Sequence, residues 1–89
     1  MPTRAEIAPL VIEKIAAVAH VSSSDVNEKD RLEADLGMTT TVRRAMALPF
    51  NGIVSDYAPD GERITMDEAG DLKTVAASIA LVTKRANRQ

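Results

Sequence analysis

Three consecutive hydroxyl side chains and two arginines are the residues of this chain best suited to chemistry. Threonines occupy residues 39–41, and Arg43 and Arg44 follow after one intervening residue. They lie in a stretch, residues 37–55, that contains no acidic residue. A hydroxyl can be esterified to a phosphate-linked group, and arginine binds phosphates and base edges. The pattern therefore supports two hypotheses: an attachment point for a prosthetic group, and the recognition segment of a DNA-binding protein.

Other catalytic chemistry has little support in the sequence. There is no cysteine, which excludes thiolate nucleophiles, disulfides and cysteine-based zinc sites. The single histidine, His20, cannot form a metal site by itself. No phosphate-binding loop, carboxylate–histidine spacing or nucleophile–base pair is visible. We therefore expect a protein that is not an enzyme and that has no metal site.

Length and charge restrict the class of protein further. The chain has 89 residues, and its net charge of −2 gives no general attraction for nucleic acid. No apolar run approaches the ~20 residues of a membrane span, and the N-terminus lacks the pattern of a signal peptide. Aromatic residues make up only 2% of the chain, so the core must be built from small aliphatic side chains. We expect one domain over residues 1–89, a cytoplasmic monomer.

The first third of the chain predicts one helix and a long loop. Over residues 5–19 apolar side chains recur at helical spacing: Ile7, Leu10, Val11, Ile15 and Val18. Thr3 and Glu6 have the spacing of a capping box, but Pro9 predicts that the regular helix begins close to it. Residues 21–34 are predicted to be a loop, which Val21, Val26 and Leu32 hold on the core.

The remainder predicts further helices and no strand. A central helix with a threonine cap should begin at about Thr40 and either kink at Pro49 or restart after it, with inward positions at Val42, Ala45, Met46 and Phe50. Thr65 and Glu68 predict a capping box on a short helix that Gly70 stops. Thr74 should cap a last helix, whose buried side is formed by Val75, Ile79 and Val82. Residues 83–89, which include Lys84, Arg85 and Arg88, are predicted to be a frayed basic tail.

This order of elements resembles the acyl carrier protein family. Residues 21–37 carry two valines five positions apart, then Leu32 and an Asp-Leu-Gly turn at residues 35–37, as in the loop that leads to the family's attachment site. Residues 64–82, ITMDEAGDLKTVAASIALV, are similar in character to the family's last two helices. The resemblance implies an all-α, acyl-carrier-like four-helix bundle with three longer helices, one short helix and a long first loop.

The resemblance also implies a function and a site. Carrier proteins bear 4′-phosphopantetheine on the serine of an Asp-Ser-Leu sequence, and present thioester-linked acyl groups to other enzymes. With the Asp-Leu-Gly turn in register, Thr39, Thr40 and Thr41 take those three positions, so Thr40 is the expected cofactor-binding residue. We expect phosphopantetheinyl transferase, acyl-transfer enzymes and synthases of lipid, fatty-acid or polyketide-type biosynthesis as partners. Met38, Thr39, Thr41, Arg43 and Arg44 are the expected partner-binding residues.

The chain departs from the family pattern at this site. Threonine has an alcohol of similar reactivity to serine but a stiffer side chain, and the aspartate before it is missing. Arg43 and Arg44 reverse the acidic character that the family's central helix shows to its partners. One alternative is therefore a carrier fold that is not modified and serves as a protein-interaction module. The other is a helix-turn-helix protein that reads DNA with residues 39–44.

Overall fold

The computed structural model describes residues 1–87 and is all-helical, as the sequence predicts. Its helices are α1 (Arg4–Ala19), α2 (Thr40–Ala45), α3 (Ala47–Tyr57), α4 (Met66–Gly70) and α5 (Val75–Ala86). Among these residues the single β-type pairing is an isolated bridge between Arg31 and Thr74. No helix in this part of the chain has the length and apolar character needed to cross a membrane. The fold is a small helical bundle.

Helix α1 begins earlier than predicted. The capping box of Thr3 and Glu6 forms as expected, and the helix starts directly after it at Arg4. The prediction that the regular helix starts near Pro9 is wrong, because Pro9 lies within the second turn of α1. A proline there removes one backbone donor close to the helix start, and the reciprocal bonds of the capping box stabilise the turn before it. The helix ends at His20, which adopts a left-handed conformation with φ 60°.

The core lies between α1, α3 and α5. Helix α5 packs against both α1 and α3, and the predicted inward residues Val75, Ile79 and Val82 are fully buried. On α1, Val18 is 38% exposed, so its predicted inward position is wrong. Ala16 is instead the last buried residue of α1. Because Val18 lies seven residues after the buried Val11, on nearly the same face, its exposure results from its place in the last turn of the helix rather than from its face.

The central helix is broken one turn before the predicted kink. Met46 separates α2 from α3, and Pro49 falls in the first turn of α3, where a backbone donor is not needed. An uninterrupted helix would instead bring the Pro49 ring against the carbonyl of Ala45. Ala45 is exposed, contrary to the prediction, whereas Met46 and Phe50 are buried as predicted. The break lets α2 pack mainly on α4 while α3 packs mainly on α5.

The long first loop is fixed to the start of α5 by backbone hydrogen bonds. The amide of Leu32 donates to the Lys73 carbonyl at 2.9 Å, and the amide of Val75 donates to the Asp30 carbonyl at 3.0 Å. Leu32 and Val26 are buried as predicted, but Val21 is exposed. The loop therefore reaches α2 along a defined path rather than as a free linker.

The prediction of a frayed tail is wrong for residues 83–86. These residues form the end of α5, and Arg85 is buried there. Its guanidinium forms ion pairs with Glu62 and Glu68 and donates to the Arg63 carbonyl at 2.9 Å. Burial of a cation requires such partners, and they fix the last turn against α4. Arg88 lies outside the described residues.

Candidate functional site

The three threonines lie where the long loop becomes helix α2. Thr39 is the N-cap of α2, and its hydroxyl accepts from the amide of Val42 at 3.3 Å. Thr40 is the first residue of the helix. Both threonines, together with Thr41, are exposed. The prediction of a threonine-capped helix that begins at about Thr40 is confirmed.

A rigid turn over residues 31–38 leads to this helix start. Gly37 has φ 69°, a left-handed conformation that glycine adopts without steric cost. The amide of Met38 donates to the Leu32 carbonyl at 2.8 Å, which closes the turn. Asp35 accepts from the amide of Arg31 at 2.7 Å and from its guanidinium at 3.2 Å. These hydrogen bonds, the guanidinium's first, hold the pKa of Asp35 below its ordinary value.

Arg43 is the buried centre of the site. It is 5% exposed, and its guanidinium contacts three segments of the chain. Nε donates to the Gly70 carbonyl of α4 at 3.1 Å. Nη1 donates at 2.8 Å to both the Met38 carbonyl and the Glu33 carboxylate in the loop. Nη2 donates to Thr40 Oγ1 at 3.1 Å. One side chain therefore joins the loop, the start of α2 and the end of α4.

Arg44 lies beside Arg43 in sequence but on a more exposed surface. Its guanidinium pairs with Asp67, whose side chain is 84% exposed. Its aliphatic stem runs directly over Gly70: a Cβ added to Gly70 would be 2.7 Å from Arg44 Cγ and 3.9 Å from Thr40 Cγ2. Gly70 does end α4 as predicted. It has no positive φ, so its role is to allow this close approach of α2.

The structure divides the six predicted site residues into two groups. Thr39, Thr40 and Thr41 are exposed, and Arg44 is partly exposed. Met38 and Arg43 are buried, and the prediction that these two residues face a partner is wrong. Met38 is buried because the closed turn directs it into the core, and Arg43 because acceptors from three segments surround its guanidinium.

Several residues of the site were not recognised in the sequence. Glu33 and Gly70 both bond to Arg43, yet they lie ten residues before it and 27 residues after it. Next to the guanidinium is a cleft of about 190 Å³, lined by Arg31, Glu33, Ala34, Arg43, Leu72 and Lys73. No local pattern marks these residues, because the cleft forms only when the loop and the α4–α5 connection come together.

We compared the chain with family models, curated proteins and solved structures. None of the three comparisons finds a match. The resemblance to acyl carrier proteins therefore stays a prediction from the sequence, and the site has to be interpreted from its own geometry.

The geometry defines what the Thr40 hydroxyl can do. Within residues 1–87 its oxygen has one hydrogen-bond partner, the Arg43 guanidinium, and no carboxylate or imidazole is bonded to it. A cation next to the oxygen does not remove its proton, so the general base for any reaction must come from another protein. The described residues contain no group of three or more His, Cys, Asp or Glu side chains placed to hold a metal ion.

Proposed function

We propose that this chain is an acyl-carrier-like module that bears 4′-phosphopantetheine on Thr40. It would present acyl intermediates to acyl-transfer or synthase enzymes of lipid, fatty-acid or polyketide-type biosynthesis. The observation that carries the proposal is the position of Thr40: an exposed residue with a hydroxyl, at the start of a short helix and directly after a hydrogen-bonded turn. A transferase can reach such a hydroxyl, whereas a core position would exclude it.

The residues around Thr40 fit the phosphate end of this group. A phosphate bonded to Oγ1 would lie next to the Arg43 guanidinium, which already donates to that oxygen. Thr39 stands where the family has a carboxylate, and its side chain caps α2. The transferase would therefore have to hold its metal ion without help from this position. When bound, the group supplies a flexible thiol that holds an acyl chain as a thioester and raises its effective concentration at a partner enzyme.

A second function, an unmodified protein-interaction module of the same fold, is favoured by a different feature of Thr40. Its oxygen is bonded to Arg43, and its methyl group lies 3.9 Å from the position that a Cβ on Gly70 would take. In this interpretation Thr40 is an internal contact between α2 and α4. Because both functions use one fold, the fold alone does not decide between them.

The DNA-reading hypothesis is not favoured by the geometry. Arg43 is buried and bonded on several sides, so its guanidinium cannot reach the base edges or the backbone phosphates of a DNA duplex. Arg44 is paired with Asp67, an acidic residue that would face the DNA backbone. Residues 32–36 form turns rather than the first helix of the motif, and α2 has only six residues.

Intact mass after co-expression with a broad-specificity phosphopantetheinyl transferase tests the proposal. We expect the wild-type chain to gain the mass of one phosphopantetheine, and Thr40→Ala to gain none. Thr41→Ala is the matched control, because Thr41 is also exposed and, within residues 1–87, is bonded to neither arginine; this variant should be modified like the wild type. A wild-type chain without the gain, when Thr40→Ser acquires it, would support the unmodified module.

A further inference from the structure

The Arg43 guanidinium has one donor hydrogen more than its contacts with the described part of the chain use. Its Nε and Nη1 donors are used by Gly70, Met38 and Glu33, which fix the plane of the group. Nη2 donates one hydrogen bond within residues 1–87, the bond to Thr40 Oγ1. Its second hydrogen therefore has no acceptor within these residues. In a phosphate ester of Thr40, the anionic oxygens are two bonds from Oγ1 and would lie near this donor.

A second cation lies on the same side of α2. Arg44 is four residues after Thr40, which places the two side chains on one face of the helix. Both contact the space above Gly70. The pairing of Arg44 with Asp67 is exposed to solvent, and such pairs contribute little to stability. Arg44 can exchange Asp67 for a stronger acceptor at small cost.

We infer that Arg43 and Arg44 together form a binding site for the phosphate of an ester on Thr40. The inference rests on the proposed function for the origin of that ester. In forming it, Thr40 Oγ1 bonds to the phosphorus of coenzyme A that carries the pantetheine, and the pyrophosphate bond breaks. Adenosine 3′,5′-bisphosphate leaves, and the hydroxyl proton passes to a base of the transferase. The negative diester then remains beside the two guanidinium groups.

The site selects Thr40 among the three threonines. The oxygen of Thr39 is occupied by the cap of α2. Thr41 lies about 100° further around the helix and has no hydrogen bond to either arginine among the described residues. A phosphate on Thr41 would therefore be solvated by water rather than held by a buried guanidinium.

Phosphothreonine incorporated at position 40 during synthesis tests the site without any transferase. The probe is the second pKa of the phosphate, followed by phosphorus NMR, and its ordinary value is about 6. We expect a pKa lower by about one unit or more at position 40 than at position 41, because nearby cations favour the dianion. In Arg44→Gln part of this difference should remain, because Arg43 still donates to the phosphate.

Two results would overturn the inference: equal pKa values at positions 40 and 41, or loss of the whole difference in Arg44→Gln, which would leave no role for Arg43. The variant Arg43→Lys is added only if circular dichroism shows that it folds. The comparison of positions 40 and 41 uses both wild-type arginines and does not depend on that variant. Because the phosphate is installed directly, a positive result with no phosphopantetheine gain in the mass experiment would reject the proposed function and keep the phosphate site.

Discussion

Replacement of Arg43 or Arg44 by methionine should lower the free energy of unfolding by different amounts, although the two residues are neighbours in the sequence. Methionine keeps an aliphatic side chain but removes the guanidinium. In Arg43→Met the buried carbonyls of Met38 and Gly70 both lose their donor. An unsatisfied buried acceptor costs about 1–3 kcal/mol. We therefore expect the free energy of unfolding to fall by about 2–5 kcal/mol.

The same change at Arg44 should cost much less. The lost pair with Asp67 is exposed, and such pairs are worth at most about 1 kcal/mol. The methionine stem can still cover Gly70. The expected difference between the two variants is therefore about 1–5 kcal/mol. This is a large fraction of the total stability expected for a domain of this size.

Urea unfolding followed by far-ultraviolet circular dichroism measures both values by linear extrapolation. Glu33→Gln is the control for the ion pair, because the Glu33 side chain is 68% exposed and its loss should cost less than about 1 kcal/mol. Equal costs for the two arginine variants would refute the assignment of Arg43 as a buried link between the loop, α2 and α4. If Glu33→Gln lowers the free energy of unfolding as much as Arg43→Met does, the stabilisation comes from the ion pair rather than from the carbonyl contacts.

Three further outcomes follow from single residues. Gly37→Ala should lower the free energy of unfolding by about 1 kcal/mol because of its positive φ, as no atom lies near the added methyl group; an unchanged urea midpoint would contradict this. Gly52→Ala, at an exposed position within α3, should raise the free energy of unfolding by about 0.5–1 kcal/mol in the same assay. The hydrogen bond from Arg85, and then the Thr65 amide, lower the pKa of Glu68 to about 2. The stabilisation from ionised Glu68 is complete above about pH 4.5 and is lost as the pH falls towards 2. Because the Glu68 side chain is 36% exposed, we expect about 1–2 kcal/mol, and unfolding of Glu68→Gln at pH 7 and pH 3 should lack this part of the pH dependence.

The elements that the sequence predicted well are set by short-range signals. Both capping boxes and the Thr39 and Thr74 caps depend on residues three positions apart, so they can be read locally. The predictions that were wrong depend on how helices pack. Val18 fits the helical period of α1, but it lies in the last turn, beyond the last residue that packing buries. The break at Met46 likewise depends on packing, because α2 packs mainly on α4 and α3 packs mainly on α5.

The geometry of the site could be predicted only in part, for a similar reason. The start of α2 at Thr40 was predicted because the turn before it and the helix pattern after it are local, whereas the role of Thr40 as an attachment residue stays a prediction. The difference between Arg43 and Arg44 could not be found, because the carbonyl that holds Arg43 belongs to Gly70, 27 residues later. Gly70, near the end of a short helix, was interpreted as a stop signal, so its close contact with Arg44 was not predicted.

The oxygen and the methyl group of Thr40 have different surroundings, and these bear on whether the chain is a modified carrier or an unmodified module. Its oxygen contacts Arg43, and its methyl group lies 3.9 Å from the position that a Cβ on Gly70 would take. Serine would keep the oxygen but lose the methyl contact, so its hydroxyl would rotate more freely. A transferase that modifies Thr40→Ser and not the wild-type chain would therefore indicate that the methyl group serves the packing of α2 on α4 at the expense of modification. Equal modification of both chains would mean that the methyl group faces away from the incoming phosphate, and that the hydroxyl held by Arg43 is the one the transferase uses.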